Sequence, residues 1–345
     1  MNPPRIGTLP SGPRDAISDV GEIRVGHVTL DLGSIQTGVT VVAPHAGDIF
    51  SDKIPAAAVV INGFGKSVGL IQIAELGTLE TPIALTNTFS VGVVMQAQIR
   101  QAMAAHPKLG REWATVNPLV FECNDGYLND IRALAVTEEH YRTALASASA
   151  DFAQGSVGAG RGMSAFELKG GIGTASRRAG DYTVGALVLA NFGRLEPLML
   201  AGHPLGRKLT ERKKRDDEAE KGSIIMVLAT DAPLDARQLR RLALRASAGL
   251  ARTGSVFGHG SGDIALAFST AYTVPHLPTK PMPALAMLHE TRLDPLFYAA
   301  ADATEQAIIH ALWHAEPVRG RDGHKRRTLR EILGKLRDED NPCVP

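Results

Sequence analysis

The 345-residue chain has only two cysteines, Cys123 and Cys343, and only 5% aromatic residues. Two thiols cannot build a disulfide framework or a four-cysteine zinc site. Cys343 lies in the terminal NPCVP, a poor place for a bridge. Excess charge is also missing: 37 Lys and Arg face 36 Asp and Glu, a net charge of +1. Nucleic-acid binding normally needs a clearly basic balance, and stacking platforms need more aromatic side chains. No apolar run reaches the roughly 18 residues of a membrane span. The opening MNPPR leads into no apolar run, so no secretory signal is expected and the reading points to a reducing cytoplasm.

What is present is ordinary globular composition, 44% hydrophobic and 21% charged, with 35 glycines unevenly spread. Short apolar runs predict buried strands over 38–42, 57–61, 82–85, 119–122, 184–191, 224–229 and 264–269. Between them, helical spacing predicts helices over 91–105, 137–150, 236–252 and 295–316. Asp235 and Gln238 form a capping box for the third of these, and Gly254 follows its end. Asp294 and Pro295 open the fourth. Buried strands alternating with helices predict sheets covered by helices.

Several motifs have ordinary readings. Gly63-Phe-Gly-Lys-Ser67 lacks the first glycine of a phosphate loop and reads as a tight strand-to-helix turn. The glycines of 155–173 lack dinucleotide-fingerprint spacing and read as turns beside a pocket. His310 and His314 share a helix face with no third ligand signalled, so no metal is expected and the two read as a partly exposed pair. His259 reads as a loop histidine, and the charged run 207–221 as a solvated loop or frayed helix. The charged stretch 319–340 predicts one short helix.

One junction is less ordinary. The charged run ends at Gly222-Ser223, and the apolar strand IIMVLA begins at once, which places a serine at the mouth of a buried sheet. Gly260-Ser-Gly-Asp263 precedes another strand and points the Ser261 hydroxyl and the Asp263 carboxylate the same way. Cutting Gly222–Ser223 frees an α-amine with a pKa of about 7.7–8.0, a base carried by the nucleophile's own residue.

At this point the chain resembles the L-aminopeptidase/D-esterase family, which includes the β-peptidyl aminopeptidases. The resemblance runs from about Arg14 to about Leu333. It is carried by ISDVGEIRVGHVTL, TGVTVV, LTNTFSVGVV, ECNDGYLNDI, VGAGRGMSAFELKGGIGTASR, VGALVLANFGR, GSIIMVLATDAPL, SGDIALAFST and GRDGH.

The resemblance implies an α+β fold, an αββα four-layer sandwich similar to the N-terminal nucleophile hydrolases but differently connected. It implies one domain over 1–345, self-cleaved between Gly222 and Ser223 into chains 1–222 and 223–345. It also implies that Ser223 is the nucleophile, with Ser261 and Asp263 as partners and Asn191 as the oxyanion donor. Glu122 matches the carboxylate that holds a substrate amine. The implied activity is that of an autoprocessed serine aminopeptidase, without cofactor or metal, acting on aminoacyl amides, peptides or esters, D- and β-aminoacyl substrates among them. The implied assembly is a tetramer of α/β heterodimers, with no nucleic acid or membrane partner. An acyltransferase and an unprocessed non-catalytic homologue are the alternatives. The chain departs from family patterns at Cys123 and Asn124, where some members carry an aromatic residue (Tyr127 is the nearest tyrosine), and at Phe89, often histidine. These differences bear on side-chain preference, not on the chemistry.

Overall fold

The computed structural model describes residues 2–210 and 221–338. Along the chain run β1 (Arg24–Leu32), β2 (Ile35–Ala43), β3 (Asp52–Gly63), α1 (Leu70–Leu76), β4 (Thr78–Leu79), β5 (Ile83–Asn87), α2 (Val91–Ala105), β6 (Leu119–Cys123) and α3 (Glu138–Ala146). They are followed by β7 (Ser164–Ala165), β8 (Leu168–Lys169), β9 (Gly171–Ala179), β10 (Tyr182–Asn191), α4 (Leu205–Thr210), β11 (Lys221–Thr230), α5 (Ala236–Arg252), β12 (Gly260–Ser269), β13 (Val274–Pro275), α6 (Asp294–Trp313) and α7 (Leu329–Asp338).

One sheet has the order β1-β2-β5-β6 and the other β13-β3-β12-β11-β10-β9, with β4 also pairing β3. Strand alternation explains how they stack. Leu187, Leu189, Ile225, Val227, Ile264 and Leu266 of the larger sheet join Val25, Val42, Leu85 and Phe121 of the smaller in one core. Alternate residues Ala186, Val188, Met226, Leu228 and Ala265 face α5 and α6 instead. On the outer face of the smaller sheet, Val39, Val41, Ala84 and Val120 meet Val94 of α2 and Ala144 of α3. The result is helix, sheet, sheet, helix: the expected αββα sandwich.

The long strands and helices match the expectations closely, and α5 carries the expected capping box, with Gln238 N donating to Asp235 Oδ1 at 2.7 Å. Several details differ. α3 stops at Ala146 rather than at residue 150. Asp294 is the first helical residue of α6, with Leu293 in the capping position. β1 and β9 are additions to the expected strands. β9 is glycine-rich, which removes the usual strand signal; a Cβ on Gly173 would overlap the Ala307 carbonyl of α6, so close packing dictates that residue. His310 is buried rather than partly exposed, because the stretch of α6 from Ala299 to Trp313 is buried throughout. Its Nδ1 contacts Thr174 O at 2.7 Å and its Nε2 contacts Gln306 Nε2 at 3.0 Å. β11 begins at Lys221, so the expected charged run is divided between α4, β11 and residues 211–220, which lie outside the described residues. Cys343 and the end of the charged tail lie outside them too. α7 is the expected short C-terminal helix.

Candidate active site

Three adjacent strands bring the sequence-predicted residues together. β10 pairs antiparallel with β11 and places Asn191 opposite Ser223. β11 pairs parallel with β12 and sets Gly222 beside Ser261 and Ser223 beside Gly262. The Gly222–Ser223 bond therefore lies within a strand paired on both sides. A Cβ on Gly222 would overlap the Asn191 carbonyl oxygen, so only glycine lets β10 pass this closely.

Ser223 is buried, 5% exposed, and its Oγ accepts a hydrogen bond from the Gly262 N–H at 3.2 Å. A backbone donor aimed at this oxygen favours negative charge on it. Ser261 Oγ donates to Asp263 Oδ1 at 2.5 Å, and both side chains are buried. The two residues belong to β12 itself, with a register irregularity after Asp263, rather than to a turn before the strand.

The orientation of the Asn191 amide follows from its neighbours. Its Oδ1 accepts the Ser164 N–H at 2.9 Å and its Nδ2 donates to Asn124 O at 3.0 Å. An amide nitrogen has two protons, and Asn124 O takes one of them. The loop that supplies Ser164 is anchored by Lys169, whose Nζ donates to Gly160 O at 3.0 Å, Met163 O at 2.9 Å and Gly170 O at 2.8 Å. Burial, reinforced by Arg161, pulls the Lys169 ammonium well below the usual lysine range, while Asp125 opposes this. Burial pushes the Asp125 carboxyl up to about 7.

Glu122 ends β6 and is 3% exposed. Its Oε1 accepts the Lys66 N–H at 2.8 Å and its Oε2 accepts the Thr88 hydroxyl. Among the described residues no cation pairs with it. A buried carboxylate with hydrogen bonds but no counter-charge is a costly arrangement that a bound ammonium relieves. The same loop closes the space toward Ser223: Gly65 lies against both Glu122 and Gly262. The neighbouring Cys123 thiol donates to Ser223 O at 3.3 Å. Burial, and then the charges of Glu122 and Asp263, push that thiol well above the usual range, so it stays protonated and is no rival nucleophile.

Sequence reasoning missed several supporting groups. Asn62 Nδ2 donates to Gly258 O at 3.0 Å, His259 O at 3.2 Å and the Ser261 carbonyl, fixing the turn before Ser261. The Gly63–Ser67 segment is the expected strand-to-helix connection, but it also walls the site. The glycines of 155–173 do flank it, through Ser164. His259 is the expected loop histidine, exposed and 6.2 Å from the Phe64 ring. Tyr127 stacks on His324 at 4.6 Å, with the Arg326 guanidinium 3.7 Å over its ring.

Residues 15–326 match peptidase family S58. The chain belongs to that family. Its S58 relatives include the β-peptidyl aminopeptidase of Sphingosinicella microcystinivorans, 37% identical over 94% of this chain and 89% of that protein. Among solved structures, the β-aminopeptidase of Burkholderia sp. superposes with a TM-score of 0.88 at 42% identity, covering 97% of this chain and 96% of that one. The L-aminopeptidase D-Ala-esterase/amidase of Ochrobactrum anthropi superposes with a TM-score of 0.88 at 33% identity, covering 97% and 96%. That structure is described as a prototype for the serine aminopeptidases and a new variant among the Ntn hydrolase folds. The S58 chain described here is thus a peptidase by family and shares that fold. No helix among its described residues is long and apolar enough to cross a membrane.

Proposed function

We propose that this chain is a self-processing serine aminopeptidase in which Ser223 acts twice. The observation that carries the reading is the convergence of Asn191, Ser223 and the Ser261–Asp263 pair on three neighbouring strands. In processing, Ser223 Oγ attacks the Gly222 carbonyl carbon. The Gly222 C–Ser223 N bond breaks as the ester bond forms, and the hydroxyl proton ends on the departing amine. Water then hydrolyses the ester, leaving a Gly222 carboxylate and a free Ser223 α-amine. The products are chains 1–222 and 223–345.

In turnover, that α-amine, or a relay through Ser261 and Asp263, takes the Ser223 proton. Ser223 Oγ attacks the carbonyl of an N-terminal aminoacyl amide, peptide or ester. The Asn191 Nδ2 proton not used by Asn124 meets the developing oxyanion. The leaving amine or alcohol departs with the proton, and water releases the acid from the acyl-enzyme. Glu122 holds the substrate's ammonium. The names of the relatives make β-aminoacyl and D-aminoacyl substrates members of the proposed class. A tetramer of processed heterodimers and a reducing cytoplasm, which suits the buried Cys123 thiol, belong to the same reading.

The test is hydrolysis of L-, D- and β-aminoacyl p-nitroanilides by the purified chain and by Ser223→Ala. The reading expects turnover of at least one series, abolished by the substitution. Equal turnover by the variant contradicts it.

A further inference from the structure

Lys169 is fully buried, and the chemistry proposed above gives it no part. Its Nζ lies 3.0 Å from Gly160 O, 2.9 Å from Met163 O and 2.8 Å from Gly170 O. Three carbonyl oxygens accept three protons, so this cage fits an ammonium; a neutral amine would set its lone pair against one of them. Burial works against the charge, and Asp125, itself buried, works for it. The other nearby cation, Arg161, is committed to Asp31 at 2.6 Å and to Gln36 Oε1 at 2.7 Å.

Holding the β7–β8 hairpin does not require a charge. The two strands already pair Ser164 with Lys169 and Ala165 with Leu168, and the Gly170 N–H donates to Met163 O at 3.0 Å. A buried cation is costlier than a buried neutral donor, so its presence calls for a further reason.

The contact with Met163 shows where the charge leads. The Met163 C=O and the Ser164 N–H are the two ends of one peptide unit. It is trans, like every peptide bond among the described residues, so the two ends point in opposite directions. At one end Lys169 donates to Met163 O; at the other the Ser164 N–H donates to Asn191 Oδ1 at 2.9 Å. Asn191 carries the next amide, whose Nδ2 donates to Asn124 O at 3.0 Å. Two amides thus stand head to tail between the ammonium and the nitrogen assigned to the oxyanion. Hydrogen bonds in series polarise one another, and a cation on the first carbonyl strengthens every N–H further along.

We propose that Lys169 is the positioning residue of the oxyanion donor. Through the 163–164 peptide it holds the Asn191 amide in place and makes its Nδ2 protons stronger donors. Its charge is therefore felt in the transition state and not in substrate binding. This rests on the assignment of Asn191 to the oxyanion.

The experiment is a double-mutant cycle on p-nitroanilide hydrolysis with Lys169→Met, Asn191→Ala and the two combined. Lys169→Met is expected to lower kcat about 10-fold or more, with KM held within about twofold, and to add no further loss to Asn191→Ala. A hairpin brace with no link to Asn191 gives losses that multiply; that result, or an unchanged kcat for Lys169→Met, overturns the proposal. If Asn191→Ala itself leaves kcat unchanged, the oxyanion assignment falls and the proposal with it. Losses from Asn191→Ala that multiply with those from Lys169→Met overturn the proposal alone. Lys169→Met leaves three carbonyls without their donor and can stop the chain from folding, so a second measurement uses the unsubstituted enzyme. Heteronuclear NMR of lysine-labelled protein at the assay pH is expected to show the Lys169 Nζ with three protons protected from solvent exchange. A neutral amine there overturns the proposal whatever the variant does.

Discussion

The Ser164 N–H donates to Asn191 Oδ1 at 2.9 Å, and with the Nδ2 bond to Asn124 O at 3.0 Å it fixes how the Asn191 amide is turned. In the proposed mechanism, the Nδ2 proton that Asn124 does not use meets the negative charge developing at the reacting carbonyl. Asn191→Ala removes that donor and Asn191→Asp replaces it with an anion. Both are expected to lower kcat on p-nitroanilides by about 10²–10³-fold or more, with the aspartate the worse. Steady-state kinetics on folded variants check this; an unchanged kcat for Asn191→Ala contradicts the role.

Glu122 makes a different prediction. If it reads the substrate's ammonium, Glu122→Gln keeps the shape and removes the charge. The expected loss is about 10- to 100-fold in kcat/KM, the worth of a charge-assisted hydrogen bond, carried mainly by KM. A loss confined to kcat contradicts the assignment.

Gly222 is held by sterics. A side chain there would overlap the Asn191 carbonyl oxygen. Gly222→Ala is therefore expected to push β11 from β10 at the scissile bond and to slow chain cleavage, although Ser223 is intact. A time course on denaturing gels measures it, with cleavage at the unsubstituted rate as the contrary result.

His27 supplies a pH signature remote from catalysis. Its Nδ1 contacts Thr40 Oγ1 at 2.9 Å and its Nε2 contacts Ala153 O at 3.1 Å. Burial, opposed by the Ala153 hydrogen bond, lowers its pKa to about 4. The unfolded chain, with an ordinary histidine near 6.5, binds the proton more readily between these values. Stability from this group is thus fully present above about 6.5, falls as the pH drops toward about 4, and is lost below that, a total of roughly 3 kcal/mol. Urea unfolding across that window is expected to show a shallower decline for His27→Gln than for the unsubstituted chain. Identical slopes contradict the assignment.

Much of this was legible in the sequence, for physical reasons that differ by residue. The buried strands announce themselves because both faces are covered, as with Ile224 to Ala229 between the smaller sheet and α5. Ser261 and Asp263 were readable because their spacing dictates a shared face, and on that face Ser261 Oγ donates to Asp263 Oδ1. Lys66, Ser164 and Gly262 were not readable as functional because each acts through its backbone N–H, which every residue but proline has. Asn62 and Thr88 act through side chains, but their partners lie on elements distant in sequence. The burial of His310 was not legible, because it comes from β9, β10 and α5, elements distant in sequence, packing against α6.

The central claim is that the bond between Gly222 and Ser223 opens by the action of Ser223 itself. Intact mass spectrometry of the purified chain, run beside Ser223→Ala, tests it most directly. The account predicts two fragments meeting at that junction for the unsubstituted protein and one uncut chain for the variant. A catalytically active protein that remains a single chain, or a variant cut at the same bond, contradicts it.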